Sequence, residues 1–232
     1  MNTNLIKQFF ILFLFLFFAI NASAQGEAYC KEYEKECQNA KAFFAEHKST
    51  LEHAAKTCAL PAEFLFAIVA PELTQFSYLS NKIETYSLKV FYVQNGTAYS
   101  DFSIGVFQMK PSFIEAMENY INADANLKHT YKKFLFKEPN ERQARVERVE
   151  RLGTVEWQIE YLALFCTIVN HKFANTAFAN EEDKLRFYAN AYNSGFHKTE
   201  QQIKEIAQKA LFPHFSRQKF RYSDIVVWFY QK

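Results

Sequence analysis

Apolar positions recur at helical spacing along most of the chain, and polar breaks separate them. Residues 27–47 mix Glu and Lys with such apolar positions, and a second helix is expected to run on to Cys58. Because the polar pair Lys48-Ser49 lies between the two, the pattern predicts an antiparallel helical hairpin over residues 25–57.

Residues 58–232 continue the helical pattern, with no internal repeat and no alternating strand pattern longer than a few residues. Only five glycines and five prolines are present, which argues against an all-β fold because such a fold needs many turn residues. The fold class predicted is therefore all-α. The expected segments are helices at 80–94, 111–122, 154–173 and 181–193, a charged stretch at 128–152, a turn at Asn95-Gly96, and closing segments at 199–212 and 223–230.

One helix is apolar on every side. It begins near Pro61, and residues 64–70 contain no polar side chain, so it should lie inside the domain. Pro71 is expected to interrupt it, since proline lacks an N–H and clashes with the preceding turn. Glu72 would then emerge from its buried end, with a raised pKa that suits a general acid. The alternative is a solvated glutamate after a kink.

The first 24 residues resemble a secretory signal peptide. Lys7 precedes the apolar run 9–20, and residues 22–24 (Ala-Ser-Ala) form a cleavage site. The mature chain is expected to begin at Gln25, to be periplasmic or secreted, and to have no stable membrane span once the signal is removed. An uncleaved anchor is the alternative.

Four cysteines lie in the part expected to be exported, where disulfides are allowed. Cys30 and Cys37 are seven positions apart, which in one continuous helix is about 10 Å, beyond disulfide reach. The expected hairpin instead brings Cys37 and Cys58 together, and Cys166 is interpreted as a thiol of the core. No pair has metal-ligand spacing, and a formal net charge of +2 gives no signal for nucleic acid. We expect no metal and no cofactor.

Three stretches occur in an order known from one family. They are the end of the apolar helix (residues 67–76, with Glu72), Ser103-Ile-Gly-Val-Phe-Gln-Met-Lys-Pro (residues 103–111) and Tyr-Ala-Asn-Ala-Tyr-Asn-Ser-Gly (residues 188–195). Together they are similar to the soluble lytic transglycosylase family of the lysozyme superfamily. The resemblance covers about residues 58–200 and implies a lysozyme-like domain over 58–232, with the hairpin outside it.

The resemblance also implies roles for single residues. Glu72 would be the catalytic acid. Gly105 would permit a tight loop that brings backbone N–H groups to a ligand, and a glutamine offers both a donor and an acceptor to a sugar. A tyrosine in the third stretch can stack on a sugar or hydrogen-bond the acid. The substrate-binding residues expected are Ser103, Gly105, Gln108, Tyr192 and Asn193.

The activity implied is cleavage of the MurNAc–GlcNAc bond of peptidoglycan strands with formation of 1,6-anhydro-MurNAc by one carboxylate. A lysozyme-type hydrolase needs a second carboxylate, for which Glu84 and Asp101 are the candidates. Leu73, where the family usually has Ser, and the extra helix at 80–94 motivate another alternative, a non-catalytic glycan-binding or envelope-assembly module. A purely structural helical partner protein is the third. The sequence leaves protein partners open.

Overall fold

The computed structural model describes residues 24–79, 82–136, 140–214 and 216–232, without the side chains of 77–79 and 82–88. The described chain is all-α, as predicted, and its extended pairing is confined to two isolated bridges. Apart from Ala24, the expected signal peptide lies outside the described residues. The helices are α1 (24–32), α2 (Glu34–Cys58), α3 (Ala62–Leu79), α4 (Lys82–Asn95), α5 (Pro111–Asn122), α6 (Ala125–Thr130), α7 (Glu141–Leu152), α8 (Val155–Lys172), α9 (Glu181–Ser194), α10 (Glu200–Ile206) and α11 (Tyr222–Gln231), with a 3-10 turn at Lys132–Phe134.

The helix break near the N-terminus lies at Tyr33, whose φ of −113° and ψ of 49° leave the helical region. The predicted break at Lys48-Ser49 is wrong, because α2 runs unbroken from Glu34 to Cys58. The two polar residues lie on the exposed side of this helix, and Leu51 on its other side is fully buried. A polar pair on a solvated face does not end a helix whose opposite face packs.

The break at Tyr33 also decides the disulfide. It brings the Cα atoms of Cys30 and Cys37 to 5.7 Å, and the two residues form a disulfide. The prediction that Cys30 and Cys37 lie beyond disulfide reach is wrong, because the estimated distance between them assumed one continuous helix. The predicted Cys37–Cys58 pair is wrong as well, since Cys58 is a buried free thiol that donates a hydrogen bond to the Ala55 carbonyl oxygen.

The apolar helix α3 lies inside the domain, as its sequence predicts. Its residues 64–70 are at most 4% exposed. Helices α2, α8, α9 and α11 all pack against it. Because α1 and α2 contribute to the same buried hydrophobic cluster as the helices after residue 58, the N-terminal helices are built into the core that supports the site.

Helix α3 does not stop at Pro71, contrary to the prediction, but continues to Leu79. Proline in a helix interior costs about 3 kcal/mol, which the packing of the buried segment 64–70 before it can offset. Thr74 supports this turn by donating a hydrogen bond from Oγ1 to the Pro71 carbonyl oxygen across 2.6 Å. Glu72 therefore lies in the middle of a helix and not at its end.

Several predicted boundaries are confirmed. Helix α5 spans Pro111–Asn122, and α9 ends at Gly195 with a φ of 102°. The charged helix α7 is less exposed than expected, because its Arg148 is buried and pairs with Glu118 at 2.6 Å.

The described helices contain no single segment that is both long and apolar enough to cross a membrane. Residues 34–58 and 62–76 meet that requirement only as a pair, across a bend of 112°.

Candidate active site

The three stretches that resemble the family meet at one pocket with a volume of about 500 Å³. Helix α3 reaches it from the core, the loop before α5 forms one wall, and the end of α9 forms another. The lining residues are Glu72, Asp101, Ser103, Gln108, Met109, Lys110, Ser112, Phe113, Ala116, Tyr192, Asn193, Ser194, Gly195, Phe196, His197, Phe212 and His214.

Glu72 presents a carboxyl group to this pocket from the middle of α3. Leu73, Thr74 and Gln75 after it are all buried. Burial raises the pKa of the Glu72 carboxyl from its usual 4.5 to about 8, and a hydrogen bond from Tyr222 lowers it in part. At pH 7 the group is therefore mostly the neutral acid, although it remains partly accessible from the pocket.

Tyr29 of α1 supports the turn that carries Glu72. Its hydroxyl hydrogen-bonds Oγ1 of Thr74 and accepts a hydrogen bond from Nε2 of Gln75 at 2.8 Å. The ring is fully buried. Sequence analysis did not indicate this role, because Tyr29 is one aromatic residue in a charged helix far from the three stretches.

The loop of the second stretch is a tight turn. The backbones of Ile104 and Met109 exchange hydrogen bonds of 2.8 and 3.1 Å. Gly105 and Gln108 both have positive φ, 72° and 51°. The Gln108 amide donates to the Gly105 carbonyl oxygen at 2.9 Å, which holds the Gln108 side chain at the pocket wall.

Gly105 faces α8 and is not among the pocket-lining residues, unlike Ser103. A Cβ atom at Gly105 would lie 1.6 Å from Nε2 of Gln158. The same Gln158 accepts a 2.7 Å hydrogen bond from the Phe107 backbone N–H and donates one to the Leu152 carbonyl oxygen. Gly105 thus allows the loop to dock on Gln158, a residue that the sequence analysis did not single out.

Tyr192 lines the pocket, and its hydroxyl points to the loop. It donates a 2.7 Å hydrogen bond to the Phe107 carbonyl oxygen. The ring makes edge contacts at 5.3 Å with both Phe113 and Phe165. Tyr192 is only 8% exposed, so it joins the third stretch to the second. Asn193 beside it remains partly accessible at the pocket wall.

Of the two candidates for a second carboxylate, Asp101 lines the pocket and the Glu84 side chain lies outside the described residues. The Asp101 carboxylate accepts hydrogen bonds from the Ser112 backbone N–H at 3.1 Å and from its hydroxyl at 2.8 Å. Lys110 lies 3.9 Å away. Asp101 therefore caps the first turn of α5, where a negative charge is favourable.

Two histidines at the pocket, His197 and His214, were not anticipated from the sequence. Partial burial and the charges of Lys198 and Lys172 lower the pKa of His197, so it is neutral at pH 7. In the part of the chain that the structure describes, no group of three or more His, Cys, Asp or Glu side chains is placed to hold a metal ion.

The site combines a neutral carboxylic acid with amide, hydroxyl and aromatic groups around one pocket, and its charged residues Asp101 and Lys110 lie within 3.9 Å of each other. Such a set can bind a polar, uncharged ligand and transfer a proton to and from it. Comparisons of the chain with protein-family models, with curated proteins and with solved structures find no match.

Proposed function

We propose that this protein is a lytic transglycosylase that acts on peptidoglycan glycan strands outside the cytoplasm. The observation that carries the proposal is the environment of Glu72. This residue lines the pocket, and burial raises the pKa of its carboxyl group to about 8. A general acid works best when its pKa lies near the working pH. The meeting of all three family-like stretches at this pocket supports the same function.

In the proposed reaction, protonated Glu72 donates its proton to the glycosidic oxygen between MurNAc and GlcNAc. The acetamido group of the substrate stabilises the oxocarbenium-like centre. Glu72, now a carboxylate, takes the proton from the C6 hydroxyl of the muramic sugar, and that oxygen closes the 1,6-anhydro ring. The polar side chains of Gln108, Ser103 and Asn193 would hold the sugars.

The position of Asp101 favours this reaction over hydrolysis. Both of its carboxylate oxygens accept hydrogen bonds from Ser112. A second carboxylate in a glycosidase acts as nucleophile or activates a water. Because Asp101 is already engaged at the start of α5, Glu72 is the carboxyl better prepared for chemistry in the described part of the pocket.

Mass spectrometry of the soluble products from purified sacculi tests the proposal. We expect 1,6-anhydro muropeptides from the unmodified protein, and a rate lower by about a hundredfold or more in Glu72→Gln. Asp101→Asn is the matched control. We expect it to lower the rate by less than about tenfold, because it only weakens the cap at the start of α5.

Two outcomes would contradict the proposal. Reducing-end products that depend on both carboxylates would identify a hydrolase. Binding to sacculi without any release by the unmodified protein would identify a glycan-binding module.

A further inference from the structure

The chain between α10 and α11 forms part of the rim of the pocket. This rim loop, residues 207–221, contains Phe212 and His214, which both line the pocket. The loop doubles back on itself, since the backbones of Phe212 and Phe220 exchange hydrogen bonds of 3.1 and 2.7 Å. Both rings are buried, and each makes an edge contact with a buried tyrosine, at 5.1 and 5.2 Å. The base of the rim loop is therefore fixed to the core.

The rim loop is strongly basic. It contains no Asp or Glu, and its Lys and Arg side chains are Lys209, Arg217, Lys219 and Arg221. Arg221 pairs with Asp224 at 2.7 Å. The other three residues are exposed, and in the described part of the chain no carboxylate oxygen lies within 4 Å of their charged groups. Three positive charges at the rim are thus free to attract an anion.

Lys219 shapes the rim loop and keeps a donor for a ligand. Its ammonium group donates hydrogen bonds to the carbonyl oxygens of Pro213 at 2.5 Å and His214 at 2.7 Å. These bonds hold the positive charge beside the pocket-lining His214. An ammonium group has three N–H donors, so one of them remains for a bound group.

The interior of the pocket has a different character. The charge of Lys110 is compensated by Asp101 at 3.9 Å. Burial keeps Glu72 mostly in its neutral form by raising its pKa, and His197 has a lowered pKa and is neutral at pH 7. The pocket therefore suits uncharged sugar rings, whereas the rim loop suits a negatively charged group.

A peptidoglycan strand supplies both kinds of group in one molecule. Its muramic sugar carries a short peptide stem, and the carboxylates of that stem are negative at neutral pH. An extended peptide of about four residues spans roughly 13 Å. Arg217 is three positions beyond the pocket-lining His214, which places their Cα atoms at most about 11 Å apart. A stem attached to a sugar in the pocket is long enough to reach the cations of the rim loop.

We propose that the rim loop is a binding site for the carboxylates of the peptide stem, with Lys209, Arg217 and Lys219 as the binding residues. This inference rests on the proposed function, because the pocket must hold the muramic sugar to which the stem is attached. The guanidinium group of Arg217 can bind a carboxylate through two parallel N–H bonds. The protein should consequently prefer glycan strands that carry stems over bare strands.

Titration calorimetry with soluble muropeptides tests this without catalysis. The ligands are disaccharide-peptides released from sacculi by an unrelated muramidase, and the same compounds with every carboxylate converted to a methylamide. We expect the amidated ligands to bind about tenfold more weakly. The double variant Lys209→Gln/Arg217→Gln should weaken binding of the unmodified muropeptides about tenfold, because one exposed ion pair contributes about twofold to fivefold. It should bind the amidated ligands as the unmodified protein does.

Lys128→Gln/Arg142→Gln is the matched control, since it removes the same charge from two exposed residues on α6 and α7 that do not line the pocket. We expect it to change the affinity by less than about twofold, because distant surface charges are screened by salt. Equal losses in the two double variants would overturn the proposal, and so would equal affinity for the two kinds of ligand. Binding of poly(glycerol phosphate) through the rim loop, without binding of muropeptides, would also overturn it and identify a phosphate polymer as the ligand.

Turnover of sacculi separates this proposal from the proposed function. In Lys209→Gln/Arg217→Gln we expect KM to rise about tenfold and kcat to stay the same, since the rim loop does not touch the bond that breaks. Release of 1,6-anhydro muropeptides with an affinity that ignores the rim loop would contradict the stem site alone. Charge-dependent binding of muropeptides by a protein that releases nothing from sacculi would contradict the proposed function and leave the stem site in place.

Discussion

The Tyr192 hydroxyl donates a hydrogen bond to the Phe107 carbonyl oxygen, 2.7 Å away, across 85 positions of sequence. The bond joins α9 to the loop that carries Gln108. Because Gln158 of α8 holds the same Phe107 by its backbone N–H at 2.7 Å, the loop is fixed from two helices. The wall of the pocket is thus preorganised by the core.

We expect Tyr192→Phe to leave this carbonyl buried without its partner. Such a loss costs about 1–3 kcal/mol. Urea unfolding monitored by circular dichroism measures the change, and Tyr230→Phe at the surface should cost no more than about 0.5 kcal/mol. Equal stability of the two variants would show that the hydrogen bond to Phe107 does not hold the loop.

Gly105→Ala should be strongly destabilising, by about 2–4 kcal/mol. The new Cβ atom would lie 1.6 Å from the Gln158 amide in a backbone with φ of 72°, so the loop must leave α8. Gly96→Ala is the matched control. Gly96 has a similar φ of 80°, but a Cβ atom added there would meet only the Arg145 side chain, at 3.6 Å. Gly96→Ala should therefore cost only the backbone strain of about 1–2 kcal/mol. If thermal unfolding shows similar losses of stability in Gly105→Ala and Gly96→Ala, the close packing of Gly105 against Gln158 is contradicted.

Glu72 should make the stability of the protein depend on pH. Its pKa is about 8 in the folded state against 4.5 normally, so between these values the folded state holds a proton that the unfolded state has lost. The free energy of unfolding then falls as pH rises, by at most about 1.4 kcal/mol per pH unit. Above pH 8 this dependence ends.

Glu72→Gln removes this proton and serves as the reference. The difference in unfolding free energy between the unmodified protein and the variant, measured in urea from pH 4 to pH 9, should change mainly between pH 4.5 and 8. The variant should gain relative stability at the alkaline end. A constant difference over this range would contradict a raised pKa at Glu72.

A non-reducing peptide map should recover a cross-link between Cys30 and Cys37, with Cys58 and Cys166 as alkylatable thiols after denaturation. Cys37→Ser should lower stability by about 2 kcal/mol, since the closed loop is short. A reductant should destabilise the unmodified protein and have no further effect on Cys37→Ser. A cross-link between Cys58 and Cys166 would contradict the assignment.

Local patterns predicted the helices whose signals are strong and close in sequence. Pro111 begins α5, and Gly195 caps α9. The unbroken apolar run 64–70 indicated a buried helix, because no other environment suits a helix without a polar face. The class, the core helix and the meeting of the three stretches at one pocket were within reach of sequence reasoning.

The errors arose where tertiary packing outweighs local preference. Packing keeps α3 helical through Pro71 and keeps α2 whole past Lys48 and Ser49. A single non-helical residue, Tyr33, is enough to bring Cys30 and Cys37 together. The local sequence shows which residues disfavour a helix. It does not show the tertiary burial that compensates for their cost.

The sequence by itself determined an all-α chain with an apolar buried helix and one carboxylate beside it. Only the tertiary structure decided the surroundings of that carboxylate. Tyr29, Tyr192 and Tyr222 approach Glu72 from three different helices, and no local pattern marks which of thirteen tyrosines will do so. The reason is physical, because the pKa of a buried acid depends on the groups that replace water around it, and distant segments supply those groups.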